Sequence, residues 1–265
     1  MKKKISILGS GWLGFPLAEH FLSQEHIVRA STRNSARFAD LESINIDPYL
    51  IDLADFENAK KENKIQEFLD VDILIINITS KSIDHFQGLL KKIDHSTVKN
   101  ILFVSSTSVY KNTNCTIYED DNCESDQSPL FQIEKLIKNN QNFRTTIIRF
   151  GGLIGYNRKP GNFFRKGNPV NFPEAPINLI HRDDCINIIS QIVEQNVWGE
   201  IFNCCADTHP TKRAFYTKAT QAVGKDVPKF ADSEINEFKI IDNTKVKRVL
   251  NYEFVYPDLM EIDLS

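Results

Sequence analysis

The first strand and the turn after it constrain this chain most. The apolar run Ile5-Ser6-Ile7-Leu8 meets Gly9-Ser10-Gly11-Trp12-Leu13-Gly14, and a helical pattern follows through Pro16, Leu17, Ala18, Phe21 and Leu22. Each glycine has a separate task. Gly9 lets the chain turn sharply at the strand end, Gly11 leaves room for a pyrophosphate to approach the backbone, and Gly14 lets the helix pack close to the strand. The helix start, with free N–H groups and the positive end of its dipole, is suited to phosphate. Pro16 falls near the first turn, where a missing N–H costs least. The loop Gly9, Ser10, Gly11, Trp12, Leu13 and Gly14 is therefore expected to hold a dinucleotide. The plainer alternative is a glycine turn joining a strand to a helix, but the turn opens a long α/β alternation.

A chain of 265 residues with 41% apolar and 25% charged residues can bury a large core. The net charge of −3, with no basic run beyond Lys2-Lys3-Lys4, gives no signal for nucleic acid or an anionic membrane. The five cysteines are odd in number and lack metal-binding spacing, so they read as reduced thiols with no metal site. The basic start is followed by an apolar stretch too short for a signal peptide, and no run reaches membrane-spanning length. These features point to a soluble cytoplasmic protein.

His26 to Ser31 reads as the second strand. An acid near its end would bind a ribose 2′-hydroxyl, whereas an arginine would meet a 2′-phosphate. Ser31-Thr32-Arg33-Asn34-Ser35 stands there, with Arg37 beyond and no acid on the strand end. NADP is thus expected over NAD, with Thr32 and Arg33 at the cofactor; NAD stays possible. The alternative leaves Arg33 and Arg37 as solvated loop residues. Ile44 to Ile51 reads as a third strand. Asp52 and Leu53 follow where adenine-contacting groups belong, although Asp52 serves equally as a helix cap. Helical material is expected from Asp55 to Leu69. Asp72 to Asn77 is a nearly continuous apolar run suited to a strand buried on both faces. Ile78 and Thr79 lie at its cofactor end. A helix over Ile83 to Ile93 and a fifth strand over Ile101 to Val104 complete the pattern.

The fifth strand runs into Ser105-Ser106-Thr107-Ser108-Val109-Tyr110. Together with the glycine turn and Asp52-Leu53, this segment resembles the extended short-chain dehydrogenase/reductases, the NAD-dependent epimerase/dehydratase family. Arg149-Phe150-Gly151-Gly152-Leu153-Ile154-Gly155, Ile180-His181-Arg182-Asp183-Asp184 and Asn243 to Leu250 are similar to later segments of that family. The likeness covers nearly the whole chain and is nearest to atypical, YeeZ-like members. It implies an α/β fold: a doubly wound, mostly parallel Rossmann sheet with a small C-terminal substrate lobe. Residues 1–155 would form the NAD(P)-binding domain. Residues 156–265 would form the substrate lobe, interleaved with the last Rossmann elements. It also places Ser105 at the cofactor and Ser106 as the hydroxyl that polarises a substrate carbonyl.

The family's catalytic Tyr-x-x-x-Lys pair is missing. One alignment puts Glu134 on the family's helix glutamate and the pair on Asp126 and Leu130; another puts it on Phe131 and Lys135. Neither supplies a phenol, and Tyr118 has Asn122 four residues on. Tyr110, Tyr118, Tyr156 and His181 are other proton donors to weigh, each with an ordinary packing or loop role as its alternative. Arg158, Lys159, Arg165 and Lys166, in a loop rich in Pro, Gly, Asn and aromatics, suit an anionic substrate or plain solvation. Two functions follow. One is an NAD(P)-dependent oxidoreductase or epimerase/dehydratase-like enzyme for a small carbonyl or sugar-like molecule. The other is a non-catalytic NADP(H)-binding sensor or interaction protein.

Overall fold

Four consecutive aliphatic residues, Ile73 to Ile76, are buried to within 2% of complete. A strand covered on both faces belongs in the middle of a parallel sheet flanked by helices, and that is its position here. The computed structural model describes residues 2–57, 59–164, 168–233 and 237–265. In chain order its elements begin with β1 (Lys4–Leu8), α1 (Gly14–Ser23), β2 (Ile27–Thr32), α2 (Phe38–Ser43), β3 (Pro48–Leu50), α3 (Glu62–Leu69), β4 (Ile73–Ile76), α4 (Ile83–Ile93) and β5 (Asn100–Ser106). They continue with β6 (Thr116–Ile117), α5 (Pro129–Lys138), β7 (Arg144–Phe150), β8 (Gly152–Ile154), β9 (Leu179–His181), α6 (Arg182–Gln195), β10 (Ile201–Cys204), α7 (Lys212–Ala222), β11 (Ile240–Ile241) and α8 (Thr244–Leu250).

The central sheet has seven strands in the order β10-β7-β5-β4-β1-β2-β3. The pairs β1–β2, β1–β4, β2–β3 and β4–β5 are all parallel. From β1 the chain adds strands on one side, then crosses to β4 and builds outward on the other. The carboxyl ends of β1 and β4 thus flank the point where strand order reverses, the usual ligand crevice of an open α/β sheet.

The helices form where pattern and caps agree. In α1 the buried residues Gly14, Leu17, Ala18 and Phe21 recur at helical spacing and make one face. Ser82 caps α4 by accepting from the His85 N–H, and Lys91 and Lys92 occupy its last turn, where cations are favoured. Ser128 caps α5, with Pro129 at its start, and Thr211 caps α7. Against β4, the side chains of Phe56, Phe68, Phe86, Leu89 and Phe103 belong to one continuous core. Each such side chain contributes about 1.5–3 kcal/mol when fully buried.

Two expected elements are shorter than the pattern suggested. The third strand is confined to Pro48–Leu50, because α2 runs to Ser43 and Asn45 turns the chain at φ 61°. The expected helix from Asp55 opens as 3₁₀ turns, and regular α-helix starts only at Glu62.

The chain divides into two compact units. The first comprises Met1–Ser105, Ser125–Ile148 and Ile189–Ile201; the second comprises Ser106–Glu124, Arg149–Ile188 and Phe202–Ser265. The second unit contains the parallel pairs β8–β9 and β6–β11. Its C-terminal segment is tied down by the buried Asp184 carboxylate, which accepts from the Tyr252 hydroxyl at 2.6 Å and the Val255 and Tyr256 N–H groups at 2.7 and 3.1 Å. No helix among the described residues is long and apolar enough to cross a membrane.

Close packing of α1 on β1 depends on one missing methyl group. A Cβ at Gly14 would lie 2.1 Å from the Gly9 carbonyl oxygen. Gly14→Ala is therefore expected to lose about 1–3 kcal/mol of stability through overpacking, read as a lower urea midpoint with an unchanged slope.

Candidate functional site

The first unit carries a cavity of about 470 Å³ at the carboxyl ends of β1, β2, β3 and β4. Of the expected cofactor residues, Gly9, Ser10, Gly11, Thr32, Arg33, Asp52, Leu53, Ile78 and Thr79 line it. Trp12, Leu13 and Gly14 are not among the lining residues. Leu13 and Gly14 are buried, and they belong to the packing of the helix start. Ser105 is not in the lining either.

The glycine loop is held by side chains from two strand ends. Ser31 Oγ accepts from the Gly9 N–H at 3.0 Å, and the Ser31 carbonyl accepts from both the Ser10 N–H and Ser10 Oγ at 2.8 Å. From the β4 side, Asn77 Nδ2 donates to the Gly9 carbonyl at 3.0 Å. Gly9 takes φ +102°, and a Cβ there would lie 2.4 Å from the Asn77 carbonyl oxygen. Both the turn and the close approach thus require glycine. Gly11 differs: a Cβ built on it meets no protein atom within 4 Å, yet the residue lines the cavity. Its missing side chain serves space that the protein itself does not fill. This arrangement fits a pyrophosphate seated on the loop and the start of α1.

Ser31 and Asn77 are the loop-holding residues that motif reading misses. The available signals were a serine late in β2 and an asparagine closing the apolar run of β4.

At the β2 end, Arg33 and Arg37 line the cavity with Thr32 and Asn34, and no carboxylate belongs to that strand end. Arg33 Nη1 lies 3.6 Å from Asp52 Oδ2, while Arg37 Nε lies 3.1 Å from Asp40 Oδ2. The Arg37 guanidinium also stands 5.6 Å from the Phe15 ring centre. The Arg33 side chain is 77% exposed, and exposed pairs of this kind contribute only about 0–1 kcal/mol. Asp52 Oδ1 accepts from the Ala54 N–H at 3.2 Å, so the capping role expected as its alternative is present.

Ser106 closes β5 in the second unit. Its Oγ accepts from the Ser108 N–H at 3.1 Å and caps the single 3₁₀ turn Thr107–Val109. In the first unit, Ser105 Oγ donates to the buried Glu134 carboxylate at 2.5 Å. Asp126, where one alignment places the family tyrosine, lies before the start of α5, and its carboxylate meets Lys135 Nζ at 3.0 Å. Leu130 packs against the core. In the other alignment, Lys135 stands 4.8 Å from the Phe131 ring centre. Neither position offers a phenol.

The remaining proton donors are also placed. Tyr110 is 3% exposed; its hydroxyl donates to Asn203 Oδ1 at 2.8 Å and accepts from Arg149 Nη1 at 2.6 Å. Burial pushes the phenol up to about 12, against the pull of Arg149. It is a packing group. Tyr118 is exposed, and so is Tyr156, whose hydroxyl donates to Asp183 at 2.9 Å. His181 is buried, with the Tyr256 ring centre 3.9 Å and the Tyr156 ring centre 5.6 Å away. Burial lowers its pKa, an effect that Asp183 partly opposes. Its Nδ1 accepts from the Asp183 N–H at 3.3 Å, which braces the start of α6. Arg165 and Lys166 lie outside the described residues. No cluster of histidine, cysteine, aspartate or glutamate suited to a metal occurs among the described residues.

A parallel Rossmann-type sheet with a glycine loop over a switch-point cavity defines a nucleotide-binding protein. The chain belongs to the NAD(P)H-binding family, whose model matches residues 9–195. It is 29% identical to the protein YeeZ of Escherichia coli strain K12, an alignment that covers 99% of this chain and all of that one. Among solved structures it resembles a protein from Methylobacillus flagellatus, provisionally called an NAD-dependent epimerase/dehydratase. The TM-score is 0.79 at 21% identity, covering 97% of this chain and 95% of the other. It also resembles a mutant UDP-glucuronic acid 4-epimerase from Bacillus cereus in complex with a UDP-sugar analogue and NAD. There the TM-score is 0.75 at 17% identity, with 98% of each chain covered. These structures bear out the α/β Rossmann fold expected from the sequence.

The empty space beside Gly11 separates binding from folding. Gly11→Ala is expected to keep the unfolding midpoint of the parent, since the added methyl meets no protein atom. It is expected to weaken dinucleotide binding by about tenfold or more, a loss of about 1.4 kcal/mol. Thermal unfolding and fluorescence titration with NADH and NADPH measure the two effects.

Proposed function

We propose that this protein is an NADP-preferring oxidoreductase or epimerase/dehydratase-like enzyme acting on a small carbonyl or sugar-like substrate. The observation that carries the reading is the cavity: a glycine loop pinned for phosphate, two arginines at the ribose end, and no acid on the β2 end. Gly9 to Gly11 would hold the pyrophosphate. Leu53, Ile78 and Thr79 would flank the rest of the cofactor, and Arg33 would take the 2′-phosphate. A planar guanidinium suits a phosphate dianion, and its weak exposed pairing with Asp52 is easily exchanged. A nicotinamide cofactor bound there would supply hydride transfer. Ser106, at the carboxyl end of a central strand, would donate a hydrogen bond to the substrate carbonyl. The reduced state expected of all five thiols supports a cytoplasmic location.

Arg33→Ala is expected to weaken NADPH binding about tenfold, as loss of a charge-assisted phosphate contact does, and to leave NADH within about twofold. Equal affinity of the parent for NADH and NADPH would overturn the NADP preference.

A second reading, an NADP(H)-binding protein without turnover, is favoured by the absent Tyr-x-x-x-Lys phenol and the burial of Tyr110. A panel of carbonyls, alcohols and nucleotide sugars, followed by cofactor absorbance, separates the two. Under the enzyme reading, Ser106→Ala lowers turnover by about 10²-fold or more, in the range of general acid/base effects, with NADPH affinity intact. No oxidation or reduction across the panel favours the binding reading.

A further inference from the structure

The turn after Ser106 is met by an ammonium from far along the chain. Lys239 Nζ donates to the Tyr110 carbonyl at 2.6 Å, where the chain leaves that turn. The lysine backbone is fixed on two sides. Its carbonyl accepts from Asn178 Nδ2 at 2.9 Å, and Asn178 Oδ1 accepts from the Ile241 N–H at 2.8 Å. The neighbouring Ile240 N–H donates to the Cys115 carbonyl at 3.1 Å, within the β6–β11 pair. All of these residues belong to the second unit.

The side chain is half-buried, and burial alone lowers its pKa. No carboxylate pairs with it among the described residues. Glu237, two residues earlier, bonds Asn112 Nδ2 instead. An ammonium has three N–H donors, and the Tyr110 carbonyl takes one. Other partly buried lysines are placed differently. Lys3 faces Glu194 and Asp72, and Lys212 meets the Asn171 carbonyl at the start of α7. Lys239 alone of these three is bonded to the segment that carries Ser106.

We propose that Lys239 is a substrate-binding cation of the second unit, its two remaining N–H donors hydrogen-bonding a substrate carbonyl oxygen beside the Ser106 turn. The proposal rests on the reading of Ser106 as the hydroxyl that meets that carbonyl. A partly desolvated ammonium stabilises an oxygen that gains negative charge more strongly than an exposed one does. Its fixed backbone limits the reorganisation this requires.

Pyridoxal 5′-phosphate serves as an aldehyde probe on the full chain, with borohydride trapping and peptide mapping over time at neutral pH. Imine formation needs the free amine, and each unit by which a lysine pKa falls raises that fraction about tenfold. Lys239, whose pKa burial lowers, is expected to be modified faster than the exposed Lys138 and Lys225. An equal or slower rate overturns the proposal. Ser106→Ala should leave this labelling unchanged, so the Ser106 reading can fail separately. If a carbonyl in the panel is turned over, Lys239→Met should lower kcat at unchanged NADPH affinity. Unchanged kcat would overturn the proposal even with fast labelling. Lys239→Arg, which keeps the bond to the Tyr110 carbonyl, controls for folding: the unfolding midpoint recovers, whereas aldehyde labelling does not.

Discussion

The glycine loop is useful only because the protein holds it still. Gly9 is gripped from both sides: its N–H by Ser31 and its carbonyl by Asn77. The two anchors stand at the ends of β2 and β4, which flank β1 in the sheet. Gly14 then sits against the same Gly9 carbonyl from the helix side. A loop without such bonds would have to lose its conformational entropy on binding, at roughly 1–2 kcal/mol per residue. Here most of that cost is met during folding. The loop conformation proposed for phosphate is therefore a property of the sheet as much as of the glycines.

The same anchoring explains how far the sequence could be read. The glycine pattern, the apolar run at β4 and the Ser-Ser turn after β5 are short-range signals, each complete within about ten residues. They identify the sheet and locate most of the cavity wall. Ser31 and Asn77 act on residues 22 and 68 positions away, and nothing local in a serine or asparagine declares such a partner. Lys239, 129 positions from Tyr110, was still less visible. The third strand is shorter than its apolar pattern for a related reason. Its apolar pattern continued through Ile44 and Ile46, but the left-handed turn at Asn45 removed them from the ladder. Leu13 and Gly14 show the reverse: residues inside the motif that serve packing more than the cavity.

Charge at the β2 end of the cavity is balanced rather than simply positive. Arg33 and Arg37 each have an aspartate partner, Asp52 and Asp40. An unpaired arginine pair would attract many anions. A paired but exposed one gives up little when a better acceptor arrives, because its existing pair is weak. The phosphate must offer more than the carboxylate does, and a bidentate dianion does so. The selectivity proposed for a phosphorylated ribose is thus compatible with an overall charge of −3.

Of the tyrosines weighed as proton donors, Tyr110 is taken up by the packing of the second unit. Arg149 is fully buried, and its guanidinium is held by Glu124 and by the Tyr110 hydroxyl, each at 2.6 Å. Removing one partner of a buried ion pair costs about 3–5 kcal/mol, and withdrawing Tyr110 would also strip a bond from Asn203. The tyrosine nearest Ser106 in sequence is therefore committed to the core. Ser106 Oγ meets only a local N–H, and Lys239 meets a backbone carbonyl. Both can exchange or share those bonds without uncovering a buried charge, and that freedom is the ground for proposing them as groups that meet a substrate.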